Sequence, residues 1–568
     1  MLIKSITLEN FKGIQEQTRI ELKPITLLFG ANSAGKSTIL QALLYAREVL
    51  DRHNLDPDKT MLGGDLIDLG GFENLVNNHD LSKDIVIGFE LDISNQDIPN
   101  YLSETESHFV DTNEYPDPNI WLSQINFVTV KIRIKWSELL QSPIVKSVNV
   151  YINDDAKLTS NENKALLSIS STDDAKSIYI HSFDIEHPIF QTESNDSDDQ
   201  TSELLILWDE ALYAYVGESV GDFIADFQEN KKLYEDINAF IGFESLIPVY
   251  LYSQKDALPN KNLPLSINRS AFKEGEDRIV NNLLVTETFF ISLLSSLLVG
   301  PIDLIRDELD KLIYIGPLRE LPSRQAEYHR SPDIASWSSG SAAWNVLNKA
   351  NDSFIENLNK WLDHEDKLNS GYIVNVKKFR ELDIKHPISH AINHSSLLDE
   401  DADDLIQQLE ALPIKTKVML HETASKLDFH PYDIGVGISQ LLPVVIAVLH
   451  QRSGILAVEQ PELHIHPRLQ VALGDLFASQ VREGTETFYL LETHSEHLIL
   501  RLLRRIRETN DQELPPGAPS LTIGDVSVLY VENKHDGVKI SNLRIDEDGD
   551  FIDRWPSGFF DERAGELF

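Results

Sequence analysis

The chain has 568 residues, 42% hydrophobic and 25% charged, the composition of a globular protein long enough for two or more domains. With 50 basic against 91 acidic residues the formal net charge is −41, a surface that repels nucleic acid and anionic membrane at long range, so DNA contact would need a local basic groove. There is no cysteine, which excludes disulfides and Cys-ligated zinc and fits a reducing cytoplasm.

Met1-Leu-Ile-Lys-Ser-Ile reads as strand and lacks the apolar core of a cleavable leader. Leu2–Leu8 and Ile14–Leu22 predict an antiparallel pair joined at Asn10-Phe11-Lys12-Gly13. That turn either carries Lys12 to a ligand or leaves it in solvent. An apolar run of strand length, Ile25–Phe29, then feeds Gly30-Ala-Asn-Ser-Ala-Gly35-Lys36-Ser37-Thr38, and Ile39–Leu44 continues as a helix. This is G-x-x-x-x-G-K-[ST] in its strand–loop–helix setting. Such glycines let the backbone wrap a phosphate, with N–H groups and the positive helix end aimed at it. Lys36 then reaches the β- and γ-phosphates and Ser37 offers a hydroxyl to Mg²⁺, so the stretch predicts a nucleoside triphosphate site. The alternative is a plain βα turn.

Leu62–Phe72 holds four glycines, which bring backbone close to the nucleotide edge or form a linker into the next sheet. Residues 84–93, 125–136 and 144–153 alternate apolar and polar, the period of half-buried strands, with a polar loop at 96–119. Residues 154–203 are polar and acidic, most of all Glu193–Gln200. Between Leu204 and Leu312 helical spacing dominates, as at Leu204, Leu207, Ala211 and Leu212, without sustained heptads. This reads as a helical insertion for partner or self-association. Its most apolar window, Phe289–Val299, is too short to span a bilayer and predicts a buried helix closed by Gly300-Pro301.

Strand character returns at Leu312–Ile315, and the following Gly/Pro loop bears Arg319 and Arg324. These arginines touch phosphate, brace a carboxylate, or form structural ion pairs. After an acidic segment at 395–406, Gly435-Val-Gly437-Ile-Ser439-Gln440 opens the apolar helix Leu441–Leu449, as a second anion-binding device or as a simple cap. A buried strand then ends in Val458-Glu459-Gln460-Pro461-Glu462-Leu463-His464-Ile-His466-Pro467, with Glu459 as the carboxylate for Mg²⁺. Zinc on His464 and His466 lacks a clear third ligand. A further strand ends in Glu492-Thr493-His494-Ser495, where His494 can contact a γ-phosphate.

In order, Gly30–Thr38, Gly435–Gln440, Val458–Pro467 and Thr493–Ser495 resemble the Walker A, signature, Walker B and His-switch motifs of ABC-type ATPases. The long separation of the first from the rest, and Asn10–Gly13, resemble the SMC/RecF-like and OLD-like branch. Trp555–Glu562 resembles a domain of unknown function that closes one bacterial group, among them the Septu ATPases of anti-phage defence, also found with retrons.

The resemblance implies an α/β fold, an ABC-type ATPase head with a mixed sheet of antiparallel N-terminal strands and a parallel P-loop core. Its halves would be 1–153 and 312–510, with a largely helical insertion at 154–311 and a small β-rich segment at 511–568. It also implies a homodimer, or a higher oligomer, sandwiching ATP. Gly30, Asn32, Ser33, Gly35, Lys36, Ser37, Thr38 and Lys12 would hold the nucleotide, capped from the partner head by Gly437 and Ser439. Ser37 and Glu459 would serve Mg²⁺, and His494 would sense the γ-phosphate. One position departs from the pattern: Gln460 stands where the family has a catalytic Glu. An amide orients water but does not take its proton. Either Glu462 takes over, or hydrolysis is slow and ATP clamps a complex.

The implied effector is a partner, an HNH-type nuclease, joined by a reverse transcriptase and RNA–DNA component where retron-linked, in the cytoplasm and without membrane. A Toprim nuclease within the chain has only a partial match in Glu532, Asp546, Asp548 and Asp550, too closely spaced, with Asp548-Gly549 reading as a hairpin turn. The basic run Arg501–Arg507 is a helix face paired with acids or a nucleic-acid contact. The alternative function is a RecF-like repair ATPase acting on DNA; a transporter ATPase is disfavoured by the long insertion.

Overall fold

The computed structural model describes residues 2–60, 67–101, 118–153, 164–184, 187–190, 247–250, 256–267, 280–322, 336–385, 389, 407, 409–535 and 537–555. The chain opens with the predicted pair, β1 (Ile3–Glu9) and β2 (Thr18–Glu21), then β3 (Ile25–Phe29) and helix α1 (Ser37–Arg52). Two short strands, β4 (Lys59–Thr60) and β5 (Ile67–Asp68), and helix α2 (Gly71–Leu75) lead to β6 (Ile85–Asp92). After α3 (Pro118–Leu122) come β7 (Phe127–Ser137), β8 (Ser142–Asn153), β9 (Leu167–Ser171), β10 (Ile178–Phe183), β11 (Ile247–Tyr250) and β12 (Ser266–Ile267). Among the described residues these strands form an antiparallel sheet in the order β12-β11-β10-β9-β8-β7-β6-β1-β2. Val128, Val130, Ile132 and Ile134 alternate onto its buried face, as their period requires.

Helix α4 (Val280–Asp310) packs against that face beside α1. The second half runs β13 (Ile313–Ile315), α5 (Ser341–Lys349), α6 (Asp352–Asp363), β14 (Tyr372–Arg380), β15 (Ile414–Glu422) and β16 (Leu427–Phe429). It continues with α7 (Val436–His450), β17 (Ser453–Glu459), α8 (Pro467–Arg482), β18 (Glu486–Glu492), α9 (Glu496–Asn510), β19 (Val526–Lys534) and β20 (Gly537–Asn542). A second sheet has the order β13-β17-β18-β3-β19-β20, parallel except for the last hairpin. It is buried on both sides, which is why its strands read as unbroken apolar runs. One side, through Ile455, Leu490 and Val531, shares a core with α1, α4 and the large sheet. The other, through Leu27, Val458 and Leu491, packs on α5 to α9 and on the small sheet β14-β15-β16.

Two expectations meet a different outcome. The described part of 154–311 holds the strands β9 to β12 and a single long helix, α4, whereas the helical spacing around Leu204–Leu212 lies outside the described residues, as do Glu193–Gln200, Arg324 and 395–406. Alternation over segments as short as five residues is a weak signal, so β9 and β10 were hidden in polar sequence. Helix α4 does not stop at Gly300-Pro301 but runs through both to Asp310. Gly300 abuts Ile98 and Pro99 there, and the buried flank from Leu293 to Ile305 holds the turn that proline weakens. The 511–568 segment supplies β19 and β20, and β19 pairs directly with β3.

Candidate nucleotide site

The six-stranded sheet delivers three strand ends to one place. β3 ends at Gly30, whose φ of 151° and contact with β19 leave no space for a side chain: a Cβ would lie 2.1 Å from the Val531 carbonyl oxygen. Ala31, Asn32 and Ser33 form an exposed rim, with Ser33 at φ 61°, and Gly35 turns the chain at φ 98° into α1. Lys36 is 3% exposed and folds back, its Nζ donating to the Gly30 and Ala31 carbonyls at 3.1 and 2.9 Å. Burial lowers its pKa, opposed by Glu492, then Glu462, then Glu459. The residues predicted to wrap phosphate therefore lie together in the expected loop.

β17 and β18 run parallel with Glu459 opposite Glu492. Glu459 accepts from the Tyr314 hydroxyl at 2.8 Å, and burial followed by the Glu492 charge pushes its pKa up to about 7. Glu492, which the sequence reading did not select, accepts from the Ser37 hydroxyl at 2.7 Å and lies 3.9 Å from Lys36 Nζ. Glu462 accepts from Thr493 Oγ1 and the His494 N–H, both at 2.7 Å, so it ties the Walker B turn to the strand end carrying His494. Burial and then the Lys36 charge lower the His494 pKa, as expected for an imidazole facing the loop. Gln460 adopts a left-handed φ of 45°, and its N–H donates to the Glu492 carbonyl at 2.7 Å. These donors are hard oxygens beside a phosphate loop, the set Mg²⁺ takes when phosphate and water complete its shell.

Arg319 braces this framework. It is 4% exposed, and its Nη2 donates to the Glu459 and Gln460 carbonyls at 2.7 and 3.2 Å. Its backbone N–H and carbonyl bond the Gln440 side-chain amide at 3.0 and 2.7 Å. Of the roles open to it, bracing is the one the contacts show, through backbone carbonyls rather than a carboxylate. Gln440 and Tyr314 are thus also part of the site's support. Neither Tyr314 nor Glu492 carried a decisive signal in the sequence: Tyr314 lies in an apolar strand, and Glu492 meets Glu459 only through the pairing of β17 with β18.

Other expected residues sit differently. Ser439 is 1% exposed and its hydroxyl donates to the Val436 carbonyl at 2.7 Å, while Gly435 and Val436 ahead of it are exposed. Gly437 lies against the His464 carbonyl, which a Cβ would approach to 2.9 Å. Lys12 is neither in open solvent nor on the loop: its Nζ donates to Gln41 Oε1 at 2.6 Å, one helical turn beyond Ser37. Gly70 and Gly71 donate to the Asp58 and Pro57 carbonyls, making a turn into α2, and Gly63 and Gly64 lie outside the described residues. His466 caps α8, accepting from the Arg468 N–H, and among the described residues no cluster of three His, Cys, Asp or Glu could hold a metal. In the basic run, Arg501 and Arg505 bind Asp475, Arg504 and Arg505 bind Glu508, and Arg507 donates to the Asp548 carbonyl. Gly549, at φ 72°, sits in the expected turn.

A family model described as AAA ATPase domain matches residues 1–499, and one described as a protein of unknown function, DUF3696, matches 521–568. Among curated proteins none matches. Solved structures similar to the chain include an Smc head bound to the C-winged helix domain of ScpA, 8% identical, covering 96% of this chain and 98% of that one, with a TM-score of 0.36. Another is an Smc head with an extended coiled coil bound to the C-terminal domain of ScpA, from Pyrococcus furiosus, 10% identical, covering 95% and 96%, at 0.35. A third is the SMC head domain from Thermotoga maritima, 8% identical, covering 96% and 100%, at 0.34. Among the described residues no helix is long and apolar enough to cross a membrane.

Proposed function

The chain belongs to the AAA ATPase domain family, with the mixed α/β fold of an ABC-type, SMC-like ATPase head, and from that premise we propose that it is an ATP-operated clamp. Two copies close around Mg²⁺-ATP, hydrolyse it slowly, and so regulate a partner effector. The observation that carries this is the convergence of Lys36, Ser37, Glu459, Glu462, Glu492 and His494 at neighbouring strand ends, with Gln460 in the place of the family's catalytic acid. Mg²⁺, when bound, neutralises phosphate charge and orients the reacting group. Gly30 to Thr38 hold the phosphates, Ser37 and Glu459 face the ion, and His494 reads the γ-phosphate. Gln460 orients water without removing its proton, and Glu462 is already committed to Thr493 and His494. Among the described residues no hydrogen bond or ion pair links 435–440 to 30–38, which supports a cap supplied by a second chain.

The setting we infer is bacterial anti-phage defence in the cytoplasm, as an ATPase of the Septu PtuA type with an HNH-type nuclease as effector, and a retron's reverse transcriptase where one is linked. The match at 521–568 and the use of β19 and β20 within the ATPase sheet support effector chemistry on a partner. A RecF-like action on DNA finds less support. The groove on the large sheet, about 550 Å³, is lined by Arg133, Lys146 and Lys164, each paired with an aspartate.

The test is mass photometry and turnover on the full chain. Mg²⁺-ATP should convert monomer to dimer, Ser439→Arg should block that conversion, and Gln460→Glu should raise turnover on the order of a hundredfold to ten-thousandfold, the usual worth of a positioned base. Fast turnover abolished in Gln460→Ala and untouched in Glu462→Gln would sink the clamp. Pull-down from the native host, with and without ATP and Mg²⁺, identifies the effector; co-purifying DNA alone would favour the RecF-like reading.

A further inference from the structure

We propose that Glu492 is the carboxylate that binds Mg²⁺ directly beside Ser37, with Glu459 standing behind it and acting through water. This rests on the ATP reading above and names a ligand that the Walker motifs do not supply. Adjacent ligands of an octahedral Mg²⁺, at 2.0–2.1 Å from the ion, are separated by about 2.9 Å. Ser37 Oγ and Glu492 Oε2 stand 2.7 Å apart, so a small displacement, with the hydroxyl keeping its proton and turning it away, would let both oxygens reach one ion. Glu492 is also held from both sides. The Thr493 N–H donates to the Leu28 carbonyl and the Gln460 N–H to the Glu492 carbonyl, fixing that backbone between β3 and the Walker B turn. Its other oxygen lies 3.9 Å from Lys36 Nζ, so the cation that neutralises phosphate already balances this acid.

Glu459 has a different attachment. Its Oε1 is engaged by Tyr314, on the side of β13 rather than β3. A carboxylate so tethered is placed for a coordinated water, and Tyr314 is its positioning residue. The sheet thus offers two acids in register, one at the loop and one set back.

The test is titration of a fluorescent ATP analogue into the full chain with Mg²⁺ or with EDTA, alongside Mn²⁺ paramagnetic resonance on the ADP-loaded protein. In the unaltered chain Mg²⁺ should tighten nucleotide binding. Glu492→Gln should lose on the order of tenfold to a hundredfold of Mn²⁺ affinity, the scale seen when metal-site partners are removed. Its binding in EDTA should tighten, because a negative charge beside the phosphates is gone. Glu459→Gln should keep most of the Mg²⁺ gain. Glu492→Asp, which keeps the charge on a shorter arm, should recover part of the Mn²⁺ affinity and guards against a folding defect in the amide variant. A full Mg²⁺ gain in Glu492→Gln, with its loss in Glu459→Gln, overturns the assignment and leaves the ATP reading intact. No nucleotide binding by the unaltered chain under either condition overturns both.

Discussion

Glu459 shows what a single side chain endures at this site. Half-buried, and facing Glu492 across one strand spacing, it holds its proton up to about pH 7, whereas an unconstrained Glu releases it near 4.5. A folded pKa above the unfolded one means that the folded state binds more protons between those values. Stability from this group is therefore fully present below pH 4.5 and falls as pH rises through 7. Urea unfolding without nucleotide or metal should show a midpoint that drops between these pH values, and Glu459→Gln should flatten the slope. Lys36, Ser37 and Glu459 were legible in the sequence because each sits at a fixed offset in a motif whose chemistry demands it. Glu492 was not, because its meaning comes from register: only the pairing of β18 with β3 brings it to Ser37. Ser439 matches the signature motif by spacing, yet its buried hydroxyl, turned to Val436, could not be foreseen from spacing.

At the scale of elements, the phosphate loop is backed by the far end of the chain. Val538, on β20, donates its N–H to the Gly13 carbonyl at 2.7 Å, and its methyls press on Gly13 and Gly35. A Cβ at Gly13 would lie 2.4 Å from Val538 Cγ2. Gly13→Ala should thus cost about 1–3 kcal/mol by overpacking, and Val538→Ala in the same chain should recover part of it. A double-mutant cycle by urea unfolding measures this, and additive effects would refute the contact. The sheet strands were readable as apolar runs because both faces are covered, and the hairpin β1–β2 because two strand-like runs flank the turn at Asn10–Gly13. The long range of the β19–β3 pairing was not readable, since nothing local in Val526–Lys534 says which strand it joins. Helix α4 was truncated at Gly300-Pro301 for the opposite reason: local propensity argued for a stop, and tertiary burial overrode it.

For the whole molecule, the net charge is −41, and in the basic run at 501–507 Arg501 and Arg505 are paired with Asp475. On the clamp proposed above, the molecule's working surface would be the one that faces a second copy. Arg319 has a further consequence there. One guanidinium holds the Walker B turn, and its own backbone holds Gln440 on the signature helix. The turn at Glu459–Gln460 and the N-terminal end of α7 are therefore tied together through one residue. If two chains close as the proposed clamp requires, a shift in either pocket floor would be transmitted to the opposite nucleotide, and the pair would act as a coincidence detector that answers to two ATP molecules together. ATP titration by dimer formation should be steeper than a simple hyperbola, and Arg319→Lys, whose single amine cannot span these contacts, should make it hyperbolic.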